Sequence, residues 1–322
     1  MSNLATPKLP VAVPSPLGPR VFEYAVVDVF AESPLQGNQL AVFTDARGLS
    51  GEEMQAFARE TNLSETTFIL PRDPDTEREH GIQVRIFTVA EELRFAGHPT
   101  LGTASWLYWN HPVLRGAETI TLDLPVGPIS VTFKAGVEGK HGVFGTMRQN
   151  DPRFGELHSP EAIAAVLGLA AEDLDPALPI QTVSTGMAFC IVPLRSLAAA
   201  SRLAIPQNAA RAYLEQCDAK FFYCITRSDP TSKTEWHARM QFYNGEDPAT
   251  GSASGCAISY LVRHGLAASD QPIVLEQGIE MHRPSRIHVQ ATLTSEAGGS
   301  GVTNVFVGGR TIPVAMGRFF LP

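Results

Sequence analysis

Three stretches carry residue types that could move protons or hold an anion. The longest runs from Arg239 to Gly265, RMQFYNGEDPATGSASGCAISYLVRHG. An apolar strand ends at Tyr243, and a polar turn, Asn244-Gly245-Glu246-Asp247-Pro248, leads into a run of tiny residues. From Ala257 the pattern predicts a helix: Ile258, Leu261 and Val262 recur at three-to-four spacing, and Gly265 offers a stop. Small residues let a ligand approach the backbone, and the first N–H groups of a helix have no partner inside it. Such a turn suits a carboxylate or a developing negative charge, with the Asp247 carboxylate at its mouth.

The second stretch, Arg85 to Asn110 (RIFTVAEELRFAGHPTLGTASWLYWN), repeats the design: strand, acidic turn, small residues, helix. Without gaps, GHPTLGTA lies over DPATGSAS, with Gly97 against Asp247, His98 against Pro248 and Thr100 against Thr250. Two units with matched helix starts, about half a chain apart, predict a duplicated fold with one site between the halves. The third stretch is Asn62 to Phe68, where Ser64 and Glu65 stand as a helix hands over to a strand. Taken singly, these residues stay ambiguous. Glu65 fits a cap or a solvated carboxylate, and Asp247 fits a helix cap as well as a catalytic role. His98 at a helix start disfavours a positive ring, so a neutral, hydrogen-bonding imidazole or a packed one is expected.

The elements that must position these groups follow from pattern. Val21 to Phe30 is the first strand; Ser50 and Glu53 have capping-box spacing and open a helix with Met54, Phe57 and Ala58 on its apolar side, ending near Asn62. Thr66 to Leu70, Ile82 to Thr88, Thr119 to Leu124, Ile129 to Phe133 and Val143 to Met147 make the first half β-rich. In the second half, Ser159-Pro160-Glu161 opens a helix, and Ile180 to Val183, Phe189 to Val192, Phe221 to Thr226 and Ile273 to Glu276 read as strands. Later strands are Ile287 to Leu293, Val302 to Val307 and Thr311 to Val314, with glycines 298, 299, 301, 308 and 309 marking turns. This order predicts an α+β protein of two similar halves.

Composition narrows the function classes. With 322 residues, 44% apolar and 18% charged, the chain has the make-up of a soluble globular protein with room for two cores. A net charge of −8 with no basic run argues against nucleic acid and anionic membrane as partners, and no apolar run reaches membrane-spanning length. Cys190, Cys217, Cys224 and Cys256 lack metal or disulfide-framework spacing and read as free thiols in a reducing cytoplasm. The first twenty residues are a proline-rich arm without the apolar segment of a signal peptide. Dinucleotide and P-loop motifs are absent, Gly251 to Gly255 has alanine where a hydrolase nucleophile would stand, and the nine histidines show no metal-ligand pattern. No cofactor and no metal are expected.

Five segments in order, VDVFAESPLQGNQLAVF (Val27 to Phe43), NLSETTF (Asn62 to Phe68), FAGHPTLGTA (Phe95 to Ala104), EDPATGSA (Glu246 to Ala253) and Glu276-Gln277-Gly278 with Arg283-Pro284-Ser285, resemble the PhzF, or phenazine-biosynthesis-like, family. The resemblance covers Val21 onward. It implies the diaminopimelate epimerase fold: two pseudo-symmetric domains, residues 21–149 and 150–322 after the arm at 1–20, each a sheet wrapped around a central helix, with the site in the cleft. It also implies a cofactor-free isomerase, usually a homodimer, acting on a small carboxylate-bearing substrate. In the family's named reaction, one glutamate moves a proton from C3 to C1 of trans-2,3-dihydro-3-hydroxyanthranilate. That glutamate falls on Glu65, with helpers at His98 and Asp247; substrate binding falls on Ser64, Gly97, Thr250, Gly251 and Ser252, and Asn38 is expected to line the cleft. Epimerases of this fold use two cysteines, whose positions fall here on Gly97 and Asp247, so a two-thiol racemase is excluded. A racemase with Glu65 and Asp247 as opposed bases is the main alternative, and a silent small-acid binder is another. Gln39, Arg94 and His282 depart from the family pattern; Arg94 or His282 could recognise an anion.

Overall fold

Valines and aromatic residues make Arg20–Val29 the first strand, and it ends up sealing a ring. The computed structural model describes residues 20–134, 141–243, 245–296 and 299–321. The proline-rich arm (except Arg20, which opens the first strand), Asn244 of the polar turn and Gly298 lie outside the described residues. From Arg20–Val29 the ring runs through Asn38–Phe43, Glu65–Leu70, Ile82–Phe87, Thr119–Leu124, Gly127–Lys134 and Val143–Arg148. The strand Gly299–Leu321 then closes it, pairing with Val143–Arg148 and with Arg20–Val29. Inside lies the helix Gly97–Asn110, buried from Gly97 to Leu107. It has no polar stripe because it is enclosed on every side.

The same long strand continues the sheet in the other direction. Its earlier part pairs with Ser285–Glu296, and the order continues through Ile273–Gln277, Trp236–Arg239, Phe221–Arg227, Ala188–Pro193, Ile180–Ser184 and Arg153–His158. This open half-wrap packs around the helix Gly251–Arg263, which is buried from Ala253 to Val262. The molecule is thus a mixture of helices and strands in which a closed barrel and an open sheet share one strand, so a cut at 149/150 is crossed by that strand.

Outside the ring, the helix Gly51–Thr61 forms with both halves of the Ser50–Glu53 capping box in place. Its Phe57 joins Phe22, Phe43, Phe68 and Phe319 in an aromatic cluster, with Phe43 and Phe68 stacked at 4.8 Å. Such rings add to the burial term through their preferred geometries. Asn62, at φ 50°, ends the helix and delivers Ser64 and Glu65 to the start of the next strand.

Several expectations needed correction. The helix anticipated from Ala257 begins at Gly251, because a helix buried all round has no amphipathic stripe to mark its first turns. The ungapped superposition of the two units is off by one helical turn: the caps that correspond are Ala96 and Thr250, not Thr100 and Thr250. Pro248 and Ala249 stay outside the second helix. Gly299, Gly301, Gly308 and Gly309 are not turns but residues of one strand; a Cβ at Gly308 would meet Gly145 O at 2.7 Å, and one at Gly309 would run into the Phe30 ring. The helix Pro74–His80 and the strand Arg153–His158 were not anticipated; both are short and mostly polar.

Candidate active site

The two enclosed helices point their N-termini at each other. A methyl group added at Gly97 would stand 3.1 Å from Ser252 N and 3.2 Å from the Gly251 carbonyl carbon, tight enough that the facing backbone would have to give way, so glycine lets the two helix ends approach this closely. Neither Ala96 nor Thr250 caps its helix with a side chain, unlike Ser50, Asp73, Ser159 and Ser196 elsewhere. Two positive helix ends therefore meet with their first-turn N–H groups free of side-chain caps, an arrangement suited to negative charge.

Against this junction stand two carboxylates. Asp247 is a well-held acceptor: Oδ1 receives Asn38 Nδ2 at 2.7 Å and Ser64 Oγ at 3.4 Å, and Oδ2 receives Thr250 Oγ1 at 2.6 Å. Burial nevertheless pushes its pKa up to about 6, against the lowering effect of those three donors. Glu65 is the opposite case. Its Oε2 is buried and, among the described residues, has no hydrogen-bond partner. Burial first, and the Asp247 charge second, hold its pKa well above the ordinary carboxylate range.

His98 completes the pair. Its Nε2 lies 3.5 Å from Glu65 Oε2 and also lacks a hydrogen-bond partner. Burial drives its pKa down to about 3, outweighing a hydrogen bond to the Gln39 backbone, so the ring is neutral. The protons can be counted. Asn38 Nδ2 has two hydrogens, and Asp247 Oδ1 at 2.7 Å and Ala249 O at 3.0 Å take both. His98 Nδ1 stands 3.2 Å from the same amide nitrogen. In the neutral ring one nitrogen carries the hydrogen and the other accepts. Nε2 as acceptor suits a protonated Glu65, and Nε2–H as donor suits an ionised one.

The chamber around these groups has a volume of about 70 Å³, room for roughly two waters. Ser64, Glu65, Asp247, Thr250 and Ser252 line it, with an aromatic wall of Phe221, Phe242 and Tyr243. Of the residues singled out in the sequence, Asn38, His98, Gly97 and Gly251 sit one layer behind the lining, where they hold the groups that face the chamber. All nine converge. Arg94 and His282 do not: Arg94 donates to Pro125 O at 3.0 Å in a neighbouring groove, and His282, at φ 57°, lies in the turn after Gly278.

Two supports were not singled out. Gln277, fully buried, accepts from Thr250 N and Tyr223 Oη and donates to Asp247 O at 2.7 Å and Thr250 Oγ1 at 3.0 Å, fixing the turn that carries Asp247. It lies in the Glu276-Gln277-Gly278 segment, a usable signal. Arg283 clamps the loop before Asn38, donating to Gly37 O, Gln36 O and the Asp28 carboxylate at 2.7–2.8 Å. Gly37 adopts φ +70° in that loop, and its N–H donates to Pro284 O at 3.1 Å. Behind Asp247, Glu246 pairs with buried Arg239, and His237 bridges toward Glu280 at 3.0 Å. Among the described residues no group of three His, Cys, Asp or Glu side chains is arranged to hold a metal.

Both the sequence and the fold resemble those of known proteins. Residues 27–317 match the family model described as phenazine biosynthesis-like protein. The chain is 36% identical over 305 residues to the trans-2,3-dihydro-3-hydroxyanthranilate isomerase of Pseudomonas aeruginosa, covering 92% of this chain and 99% of that protein. It superposes on a PhzF-family phenazine biosynthesis protein of Bacillus anthracis with a TM-score of 0.82 at 27% identity, covering 94% and 100% of the two chains. A hydroxyproline epimerase of Agrobacterium vitis shares the fold at a TM-score of 0.63 and 11% identity, covering 95% and 94%.

Proposed function

Because the chain belongs to the phenazine biosynthesis-like family and its named relatives are isomerases, we propose that it is a cofactor-independent isomerase that moves a proton on a small cyclic carboxylate. The reaction is of the trans-2,3-dihydro-3-hydroxyanthranilate isomerase type, with Glu65 as the acid and base. One observation carries the reading: a buried Glu65 oxygen without a hydrogen-bond partner among the described residues, 3.5 Å from a neutral His98, at a chamber onto which two helix ends without side-chain caps converge.

The roles follow from charge. Removing a proton from carbon leaves charge to be stabilised, and the first turns at Gly97 and Gly251 to Ser252 offer N–H groups for a carboxylate or a dienolate-like oxygen. Burial raises the Glu65 pKa, so it holds a proton more readily than an ordinary carboxylate, which suits a group that takes a proton and returns it. His98, neutral, stands 3.5 Å from Glu65 and can exchange a hydrogen bond with it in either protonation state. Asp247, fully engaged as an acceptor, positions the substrate with Ser64 and Thr250. The small chamber limits water, which favours internal return of the proton. Epimerisation with Glu65 and Asp247 as opposed bases is the second reading, favoured by the raised pKa of both carboxylates. We read residues 21–149 and 150–322 as the two related domains, in a cytoplasmic homodimer.

The test is proton NMR of the purified protein with trans-2,3-dihydro-3-hydroxyanthranilate in heavy water, alongside Glu65→Gln. The expected result is conversion with little deuterium in the product and loss of turnover in the variant with ligand binding kept. Turnover retained in a folded Glu65→Gln protein would remove Glu65 as the base. No conversion, with deuterium exchange at the α-carbon of an amino or hydroxy acid, would move the assignment to epimerase.

A further inference from the structure

Among the described residues lining the chamber, three are exposed: Glu91, Lys220 and Tyr243. Their side chains or residues are 58%, 51% and 56% exposed, while every other lining residue is buried or half-buried. These three form the rim. A ring larger than the present 70 Å³ must pass them. Two outer grooves, of about 570 and 500 Å³, meet the chamber here, and Lys220 lines all three spaces.

Lys220 is also the sole cation among the described lining residues; the other ionisable groups with a formal charge are Glu65, Glu91 and Asp247. An anion reaching the helix ends therefore crosses an acidic mouth with one positive group in it. At rest the Lys220 ammonium stands 3.8 Å from Glu91 and 5.7 Å from the centre of the Phe221 ring. Glu91 comes from the hairpin that precedes the first enclosed helix, and Lys220 from the bend just before the strand Phe221–Arg227 in the second half, so the pair spans the mouth. Tyr243 sits beside it, its ring 6.4 Å from Phe221 and its hydroxyl held up in pKa by burial and by the charges of Glu91 and Glu65.

We propose that Lys220 determines specificity for anionic substrates: its ammonium exchanges Glu91 for the substrate carboxylate and keeps it paired at the mouth of the chamber, while the rest of the ring reaches the helix ends. The proposal rests on the isomerase reading for its substrate, but the exchange itself is a binding event. Glu91 is then a competitor, and the two residues have effects of opposite sign. Lys220→Met should raise KM about fivefold with kcat unchanged and flatten the salt dependence of kcat/KM, an exposed charge contact being of that size. Lys220→Arg should restore both. Glu91→Gln should lower KM about twofold, since the competing charge is gone.

The experiment combines steady-state kinetics on trans-2,3-dihydro-3-hydroxyanthranilate at low and high salt with calorimetric binding of anthranilate and of aniline, which lacks the carboxylate. Anthranilate affinity should fall in Lys220→Met and rise in Glu91→Gln, with aniline unaffected. Unchanged KM and anthranilate affinity in folded Lys220→Met would overturn the proposal. So would a fall in kcat alone, or a wild-type protein without affinity for anthranilate. If wild type binds anthranilate in this pattern without converting the substrate, the isomerase reading fails while the role of Lys220 stands.

Discussion

Replacing Arg283 by methionine should cost far more than its position on a turn suggests. The guanidinium donates to the Asp28 carboxylate at 2.7 Å and to two carbonyls of the loop that delivers Asn38. The Asp28 side chain is 2% exposed, so its charge depends on Arg283 and on the Leu35 N–H at 2.6 Å. Removing one partner of a buried pair strands the other, at a cost of about 3–5 kcal/mol. Burial already holds the Asp28 pKa above the ordinary range, against the pull of Arg283 and Leu35. The folded state thus binds this proton more tightly than the unfolded one, and stability falls as pH rises through that pKa. Without Arg283 the penalty deepens, so the deficit of the variant should be largest at neutral pH and shrink in acid. The double variant Asp28→Asn with Arg283→Met leaves no charge behind and should recover most of the loss. Urea denaturation of the four proteins of this cycle measures it. Arg283→Met should also lose turnover well below its melting point, because the loop no longer fixes Asn38 against Asp247. A single variant within about 1 kcal/mol of wild type, or a double variant no more stable than the single, would refute the reasoning.

Other substitutions read other parts of the site. Asp247→Asn mimics the neutral form of a group whose folded pKa, about 6, lies above its ordinary 3.8. Stability from this group is greatest below the unfolded value and lost as pH rises through about 6, so above that pH the variant should be more stable than wild type, by on the order of 1–3 kcal/mol, while losing turnover. Denaturation at acid and alkaline pH checks the crossover. For His237, burial lowers the pKa, but the carboxylates of Glu276, 3.6 Å away, and Glu280, at 3.0 Å, override it and raise it to about 9. Its contribution is complete below 6.5 and disappears as pH rises through about 9; His237→Gln should abolish that loss in an alkaline stability series. Gly97→Ala should cut kcat/KM by about a hundredfold, because its methyl meets the backbone at Ser252 and separates the helix ends. Gly251→Ala should be milder, since the nearest atoms belong to the Phe30 ring, which can turn; steady-state kinetics on both variants compares them.

How much of this was readable in the sequence depends on whether a residue's surroundings are local. The capping box of Ser50 and Glu53 forms because both partners lie within one turn. Glu65, His98 and Asp247 were singled out by their place at strand ends and helix starts and by the family resemblance, and they converge. The start of the helix at Gly251 was missed, because small residues there serve the approach of Gly97 rather than any amphipathic pattern. Gly308 and Gly309 looked like a turn for a similar reason: what they accommodate is Thr146 and Phe30, distant in sequence. Glu91, Lys220 and Tyr243 carry no motif, and only tertiary folding gathers them at one rim.

The strand shared by barrel and open sheet also governs the order in which the molecule can be made. Arg20–Val29, the first element, finds its partner in Thr311 to Leu321, the last. During synthesis the barrel therefore stays unsealed until those residues leave the ribosome, and Asn38 waits for Asp247 and then for the Arg283 clamp to emerge. Pairings this distant make folding slow and leave the edge of the first strand exposed to other chains meanwhile. An incomplete chain arrested near residue 300 would carry every proposed catalytic side chain and still present an open barrel with an unpaired edge. Proteases and chaperones can distinguish that state from the finished protein.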